Sequence, residues 1–270
     1  MFHNIQSPSE FLMIWFNNAL LEEEEQTLFN RYYTSYLKSF PPRIQYFYDK
    51  QLEGAMKILS KIDNPKVLEV GCGLGSESLF MALHGANVLG IDIDDKRVNT
   101  AKCRKDVMEK QLDTKLNCDF KNISVLELDE VEQYDLIWIE QAYHHLEPRE
   151  MVSEKISLLL KPNGYLVISE SNALNPLIQL ALFKQRGFET INYHTDSQGL
   201  KRPYGNERVL TARRLIKNFK KYTIENKRIE YFRIFPNSHY FDKLLIFEKV
   251  FPKFLSLFFT HYNYIGQKRS

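Results

Sequence analysis

The residues best suited to chemistry lie in a stretch that reads VLEVGCGLGSES over 67–78. An apolar run leads into Gly71, Gly73 and Gly75, which carry no Cβ and so permit a tight turn and close approach of the backbone to a ligand. Glu69 stands two places before the first glycine. A dinucleotide fingerprint would put a further glycine at the sixth position and offer a helix N-terminus to a pyrophosphate; here that position is Ser76. The Glu69 carboxylate would also repel a pyrophosphate, and it suits a ligand with cationic groups. Asp92 closes a second apolar run, 87–91, seventeen residues after Gly75, where a carboxylate can accept hydrogen bonds from both hydroxyls of a ribose. The set points to a nucleoside with a cationic tail, bound outside the carboxyl ends of the strands of an open α/β sheet.

A second group of reactive side chains follows the largely apolar run 134–139: Glu140, Gln141, Ala142, Tyr143, His144 and His145. Catalytic groups in open α/β sheets belong at such strand ends. A histidine titrating near ~6.5 is a suitable general base for a hydroxyl or phenol. His145 is the favoured base, with His144 and Tyr143 as alternatives. In the bland reading, one histidine caps the next helix and the other hydrogen-bonds a backbone carbonyl. The histidine pair beside Glu147 raises the question of a metal, but no third ligand lies at helical spacing, so none is expected. Glu170, at the end of a fifth apolar run, is a further candidate for the acceptor side or a structural hydrogen bond.

The E-x-G-x-G-x-G loop at 69–75 and the acid at Asp92 resemble the class I methyltransferases that use S-adenosyl-L-methionine, and the likeness continues less specifically to about residue 170. The resemblance implies that Glu69 and the loop at Gly71, Cys72, Gly73 and Gly75 hold the methionine part of the cofactor. It implies Asp92 on the ribose and Ile93 against the adenine. Asn122, beside Ile123, stands where the family usually has an aspartate that meets the adenine amino group. An amide oxygen can accept that hydrogen bond too. Glu140 and Gln141 would contact the cofactor or the acceptor.

These groups need a scaffold, and the periodicity supplies one. Residues 8–40 and 43–61 carry apolar positions at helical spacing and form an N-terminal helical lid over 1–61. Tyr32, Tyr33 and Tyr36 would line a pocket or pack as plain core. The remainder, 62–270, reads as the cofactor-binding domain: strands near 67–70, 87–91, 115–120, 134–139 and 165–169 alternate with helices, which argues for right-handed crossovers and a parallel sheet. The residues 161–164 form a turn. Substrate-facing insertions are expected at about 171–208 and 236–260, with a helix from Thr211 and a strand at 223–232 between them. By resemblance, the last strand, 262–266, enters antiparallel beside the fifth. The expected fold is therefore a doubly wound, seven-stranded, mostly parallel α/β sheet with an antiparallel last strand.

Composition narrows the partners. With 270 residues and 44% hydrophobic content the chain can build a full core. A net charge of +2 argues against bulk nucleic acid as a partner. Three cysteines without CxxC spacing are read as reduced, hence a cytoplasmic protein, and no run reaches the ~18 apolar residues of a spanning helix. The basic run at Arg213, Arg214, Lys217, Lys220, Lys221, Lys227 and Arg228 is a solvated face or, with the second insertion, a peripheral contact for anionic lipid. The expected activity is methyl transfer to a small or lipid-like acceptor at oxygen. Carbon methylation of an isoprenoid or quinone-like acceptor, RNA methylation and a non-catalytic cofactor-binding protein are the alternatives.

Overall fold

The computed structural model describes residues 1–195 and 201–270, so part of the first expected insertion lies outside the described residues. Helix α1 (Pro8–Asn17) starts from a capping box in which Ser7 and Glu10 satisfy each other's backbone amides. Helices α2 (Glu23–Tyr32), α3 (Thr34–Lys38) and α4 (Pro42–Leu59) follow. Then come β1 (Lys66–Val70), α5 (Ser76–Leu83) and β2 (Asn87–Asp92). Gly85 ends α5 with φ 89°, a left-handed position that costs a glycine little. Helix α6 (Asp95–Leu112) is capped by the Asp94 carboxylate, which accepts from the Arg97 amide, and leads to β3 (Cys118–Asn122).

The chain continues through β4 (Tyr134–Glu140), α7 (Arg149–Leu159) and β5 (Leu160–Ser171). Helix α8 (Pro176–Arg186) precedes a separate antiparallel hairpin of β6 (Ile191–Thr195) and β7 (Lys201–Gly205). Last come α9 (Ala212–Lys220), β8 (Ile224–Phe232), α10 (Leu245–Val250) and β9 (His261–Lys268). Seven strands form one sheet in the order β3-β2-β1-β4-β5-β9-β8, and β9 runs antiparallel to both β5 and β8. This is the expected doubly wound sheet.

Three readings change. The expected turn at 161–164 lies within β5, whose pairing with β4 is irregular between Tyr134 and Leu136. Strand β3 begins three residues later than expected. The expected insertion at about 171–208 has regular elements of its own, α8 and the hairpin: the Asn175 side chain accepts from the amides of Leu177 and Ile178, and Pro176 occupies the first helical turn.

The described residues divide into two compact units, 1–124 with 235–247, and 125–234 with 248–270. In the first, Phe11, Trp15 and Phe29 close around the buried Arg104 of α6, whose guanidinium carbon lies 4.4 Å from the Trp15 ring centre. That stacking spares a desolvated cation part of its cost. The Arg43 side chain donates to the carbonyls of Phe235 and Pro236, which fastens the outlying segment of this unit. In the second unit, Trp138, Tyr143, Phe219 and Tyr264 are buried, with Phe219 stacked on Tyr264. Among the described residues, no helix is long and apolar enough to cross a membrane. Cys72, Cys103 and Cys118 are free thiols.

Candidate active site

The glycine turn is built from the end of β1. Gly71, Gly73 and Gly75 take φ of 77°, 52° and 73°, the left-handed region that other residues enter at a cost. The amides of Gly71 and Cys72 both donate to the Ile91 carbonyl, at 2.8 and 3.0 Å, so the turn is tied to the end of β2. The Gly73 amide donates to Asp92 Oδ2 at 2.9 Å, and the Asp94 amide donates to Oδ1 at 3.0 Å. Asp92 is therefore buried and held by two backbone donors, with acceptor capacity left on each oxygen.

Beneath the turn, Arg104 donates to the Leu74 carbonyl and to Ser76 Oγ, at 2.7 and 2.8 Å. Tyr33 Oη and Ser76 Oγ are 2.6 Å apart. Of the three tyrosines, Tyr33 thus belongs to the buried support. Tyr32 is 45% exposed and lies over the turn: a Cβ at Gly73 would stand 2.4 Å from its hydroxyl. A Cβ at Gly75 would stand 2.6 Å from the Phe120 ring. Glu69 is buried and accepts a hydrogen bond from Ser78. The Cys72 thiol is buried, and burial with the nearby Glu69 and Asp92 charges pushes its pKa well up, so it is no nucleophile.

At the mouth of this turn Ile93 is 65% exposed, a free apolar surface. The Asn122 side chain donates to the Asp92 carbonyl at 3.0 Å, which leaves its oxygen as an acceptor, and the neighbouring Ile123 amide donates to the same carbonyl at 3.2 Å. A nucleoside finds here an apolar face, an amide oxygen and a carboxylate. These residues fit a sulfonium nucleoside better than a pyrophosphate, because β1 and β2 bring two carboxylates to the turn and the Arg104 guanidinium beneath it is engaged by the Leu74 carbonyl and Ser76.

In the second unit, β4 ends at Glu140. Gln141 takes φ 45°, donates its amide to the Ser169 carbonyl and accepts from Ser171 Oγ at 3.0 Å. Its side-chain nitrogen is buried with no hydrogen-bond partner among the described residues. A single helical turn over Tyr143–His145 then separates the three expected catalytic candidates. Tyr143 points into the core: its hydroxyl lies 2.8 Å from Ser153 Oγ and accepts from Asn218 at 2.7 Å. Burial pushes its pKa up to about 12, and its position corrects the reading of Tyr143 as a catalytic alternative.

His144 is buried, with Nδ1 2.8 Å from Glu170 Oε2 and its amide donating to Oε1 at 3.2 Å. A carboxylate only accepts, so Nδ1 carries the proton. Burial opposes a charge on this ring, but the charge and hydrogen bond of Glu170, with Glu207 and Glu140 beyond, outweigh it and raise the pKa. Glu170 is thereby a partner of His144.

His145 differs. Its side chain is 46% exposed, and Nδ1 lies 2.8 Å from the Gly205 carbonyl. A carbonyl also only accepts, so the proton sits on Nδ1 and the lone pair on the outward Nε2. Burial, then repulsion from His144, lowers the pKa of this ring against the pull of Gly205 and Glu207, which keeps it in the basic form. Glu207 Oε2 stands 3.6 Å from His144 Nε2, and its Oε1 stands 3.8 Å from His145 Nε2.

Gly205 and Glu207 escape the sequence because nothing in the spacing of 140–145 points across some sixty residues. The junction is tight. A Cβ at Gly205 would lie 2.0 Å from the His144 carbonyl oxygen, and Arg208 donates to Glu147 at 2.6 Å while Arg149 donates to the Arg208 carbonyl at 3.0 Å.

A methyltransferase-domain profile matches residues 61–228. The ubiquinone biosynthesis O-methyltransferase of Bradyrhizobium diazoefficiens is 27% identical over 135 residues, 49% of this chain and 51% of that protein. The chain thus spans about half the length of the curated relatives it matches. Among solved structures, a putative sarcosine dimethylglycine methyltransferase from Galdieria sulphuraria superposes with a TM-score of 0.59 at 16% identity, covering 84% of this chain and 87% of that one. A putative S-adenosylmethionine-dependent methyltransferase from Listeria monocytogenes gives 0.53 at 17% identity, covering 82% and 98%. The profile takes in both the glycine turn and the histidine cluster, and the chain belongs to the methyltransferase-domain family, with the fold of the class I methyltransferases.

Proposed function

We propose that this chain methylates a hydroxyl oxygen of a small or lipid-like acceptor, with His145 as the general base. The observation that carries this reading is the 2.8 Å contact of His145 Nδ1 with the Gly205 carbonyl: a carbonyl only accepts, so the proton belongs on Nδ1 and the lone pair on Nε2 of a half-exposed ring. The name of the Bradyrhizobium relative, an O-methyltransferase, supports oxygen as the methylated atom.

S-adenosylmethionine supplies an electrophilic methyl group on a sulfonium. The remaining work is binding, orientation and proton removal by the chain's own residues. Asp92 would hold the ribose with its spare acceptor sites, Ile93 would give the adenine its apolar face, and Asn122 Oδ1, with Ile123 beside it, would accept from the adenine amino group. Glu69 and the turn at Gly71, Cys72, Gly73 and Gly75 take the methionine part, and Tyr32 of the helical lid covers the turn. Glu140 and Gln141 contact cofactor or acceptor, Gln141 through its unpartnered amide nitrogen. His145 Nε2 accepts the acceptor's proton as the oxygen attacks. His144, whose Nδ1–H is held by Glu170, keeps the turn in place.

A lipid-like acceptor accords with an apolar surface in the second unit. Phe188 is 88% and Phe254 83% exposed, Lys253 is the chain neighbour of the latter, and the side chains of Asn172 and Asn175 tie the start of α8 to the carbonyls of 256–259. Such a surface suits peripheral contact with a membrane.

A series of phenols of falling pKa tests the base. His145→Gln should lose about 10²–10³-fold in transfer to phenols that are neutral at the assay pH, the range of a lost general base. The loss should shrink toward none for phenols already ionised. An equal rate for both proteins across the series would sink the assignment.

A further inference from the structure

We propose that His144, His145 and Glu207 form a site for a borderline divalent cation of the Zn2+ class, and that its occupancy holds the enzyme inactive. The second half rests on the reading of His145 as the base; the first does not. One ligand atom from each residue lies within 4.8 Å of the others. The two separations from Glu207, 3.6 and 3.8 Å, are too long for hydrogen bonds. They are close to the edge of a tetrahedral site: bonds of about 2.0–2.2 Å place neighbouring ligand atoms roughly 3.3–3.6 Å apart. A contraction of a few tenths of an ångström would bring the two Glu207 edges to that length, and a turn of the half-exposed His145 ring would set the third.

The surroundings point the same way. A metal-binding histidine ordinarily gives its other ring N–H to a carboxylate or a backbone carbonyl, which fixes the tautomer and aims the free nitrogen. Both histidines meet this requirement, His144 through Glu170 and His145 through the Gly205 carbonyl, each at 2.8 Å. Glu207 takes φ 52°, an uncommon conformation outside glycine, and the segment that carries it is fastened to the histidine turn by Arg208 on Glu147 and Arg149 on the Arg208 carbonyl. Two carboxylates, Glu170 and Glu207, flank the ring nitrogens and offset a double positive charge. Two imidazoles and one carboxylate select Zn2+ or its transition-metal neighbours over Mg2+ and Ca2+, which prefer oxygen throughout. Three protein ligands leave one position open.

The consequence for activity comes from a single lone pair. His145 Nε2 is both the proton acceptor of the reaction and a metal ligand, so a bound cation withdraws the base. No bond to the acceptor is made or broken in this step; the cation and the acceptor's proton compete for one nitrogen.

Calorimetric titration of the full chain with Zn2+, Co2+ and Mg2+ tests the site, with the visible absorption of Co2+ as a probe of its geometry. The expected result is one equivalent of Zn2+ or Co2+, a tetrahedral Co2+ spectrum, no competition by Mg2+, and at least about tenfold weaker binding in Glu207→Gln. His145→Ala, which removes a partly exposed ring, should weaken binding similarly, and Glu24→Gln on α2 should not. No binding, or equal binding in Glu207→Gln and His145→Ala, overturns the site. In the activity arm, Zn2+ should slow methyl transfer and a chelator should restore it. A rate raised by Zn2+ overturns the regulatory half and replaces the histidine base with metal-assisted deprotonation. The phenol series judges the base in metal-free buffer, so the two proposals fail separately.

Discussion

The glycine turn and the histidine cluster are built in opposite ways. In the turn, the partners are near in sequence or on adjacent strands: Gly71 and Cys72 on Ile91, Gly73 on Asp92, Asp94 on Asp92. The backbone supplies most of the donors. In the cluster, side chains are aimed by distant segments: Glu170 twenty-six residues from His144, Gly205 sixty from His145, and Arg208 sixty-one from Glu147. A turn closed by its own backbone depends on a few glycines, while an assembled cluster depends on how its segments are pinned. The two should break differently.

The largest effect is expected at Gly75. Gly75→Val puts a branched side chain at φ 73° and its Cβ 2.6 Å from Phe120, so strain and overpacking add. A loss of roughly 2–5 kcal/mol in denaturant unfolding should accompany loss of measurable cofactor binding. Retention of both would show that the turn tolerates more than its dihedrals imply. Next comes Gly205→Ala, whose added carbon would meet the His144 carbonyl at 2.0 Å and push the end of β7 from the histidine turn. Transfer should fall at least about tenfold through loss of the His145 tautomer, with cofactor affinity unchanged. An equal fall in cofactor affinity would blur the distinction between turn and cluster.

The difference in construction also explains what was legible in the sequence. Val67–Val70 with the three glycines, and the acid that closes the next apolar run, could be read because each is a local pattern, and the parallel sheet followed from alternating elements. The place of β9 beside β5 came by resemblance. Glu207 could not be read, because its relation to His144 and His145 arises only when the hairpin of β6 and β7 returns to the turn. Tyr143 misled because position at a strand end says nothing of which way the side chain points. Ahead of α8 and at its first position, Asn172, Asn175 and Pro176 look like breakers. Asn175 and Pro176 are in fact a cap and a first-turn proline, and exposure of Leu177, Leu180 and Phe183 hides the usual inward stripe.

Smaller effects sharpen the account. Glu147→Gln should weaken the hold of Arg208 and Arg149 on the cluster. Glu147 is buried and charge-paired, so a loss of about 1–3 kcal/mol is expected in denaturant unfolding, with a smaller fall in transfer rate than Gly205→Ala gives. His261 on β9 makes a pH prediction apart from both sites. Burial, with the Arg233 charge adding to it, lowers its pKa to about 3 from the ordinary ~6.5. The unfolded chain therefore takes up this proton first. Stability should be full above pH ~6.5 and fall toward pH ~3 by at most about 1.4 kcal/mol per pH unit from this group. His261→Phe should flatten that part of the stability curve, and an unchanged slope would assign the acid sensitivity to other groups.

The central claim is a division of labour: the glycine turn binds the donor and His145 activates the acceptor. Its most direct test is a paired measurement on His145→Gln, cofactor affinity by calorimetry and single-turnover transfer to a neutral phenol in metal-free buffer. Cofactor affinity should stay within about twofold of the unsubstituted chain while transfer slows about 100-fold. Unchanged transfer, or a loss explained wholly by weaker cofactor binding, would contradict it.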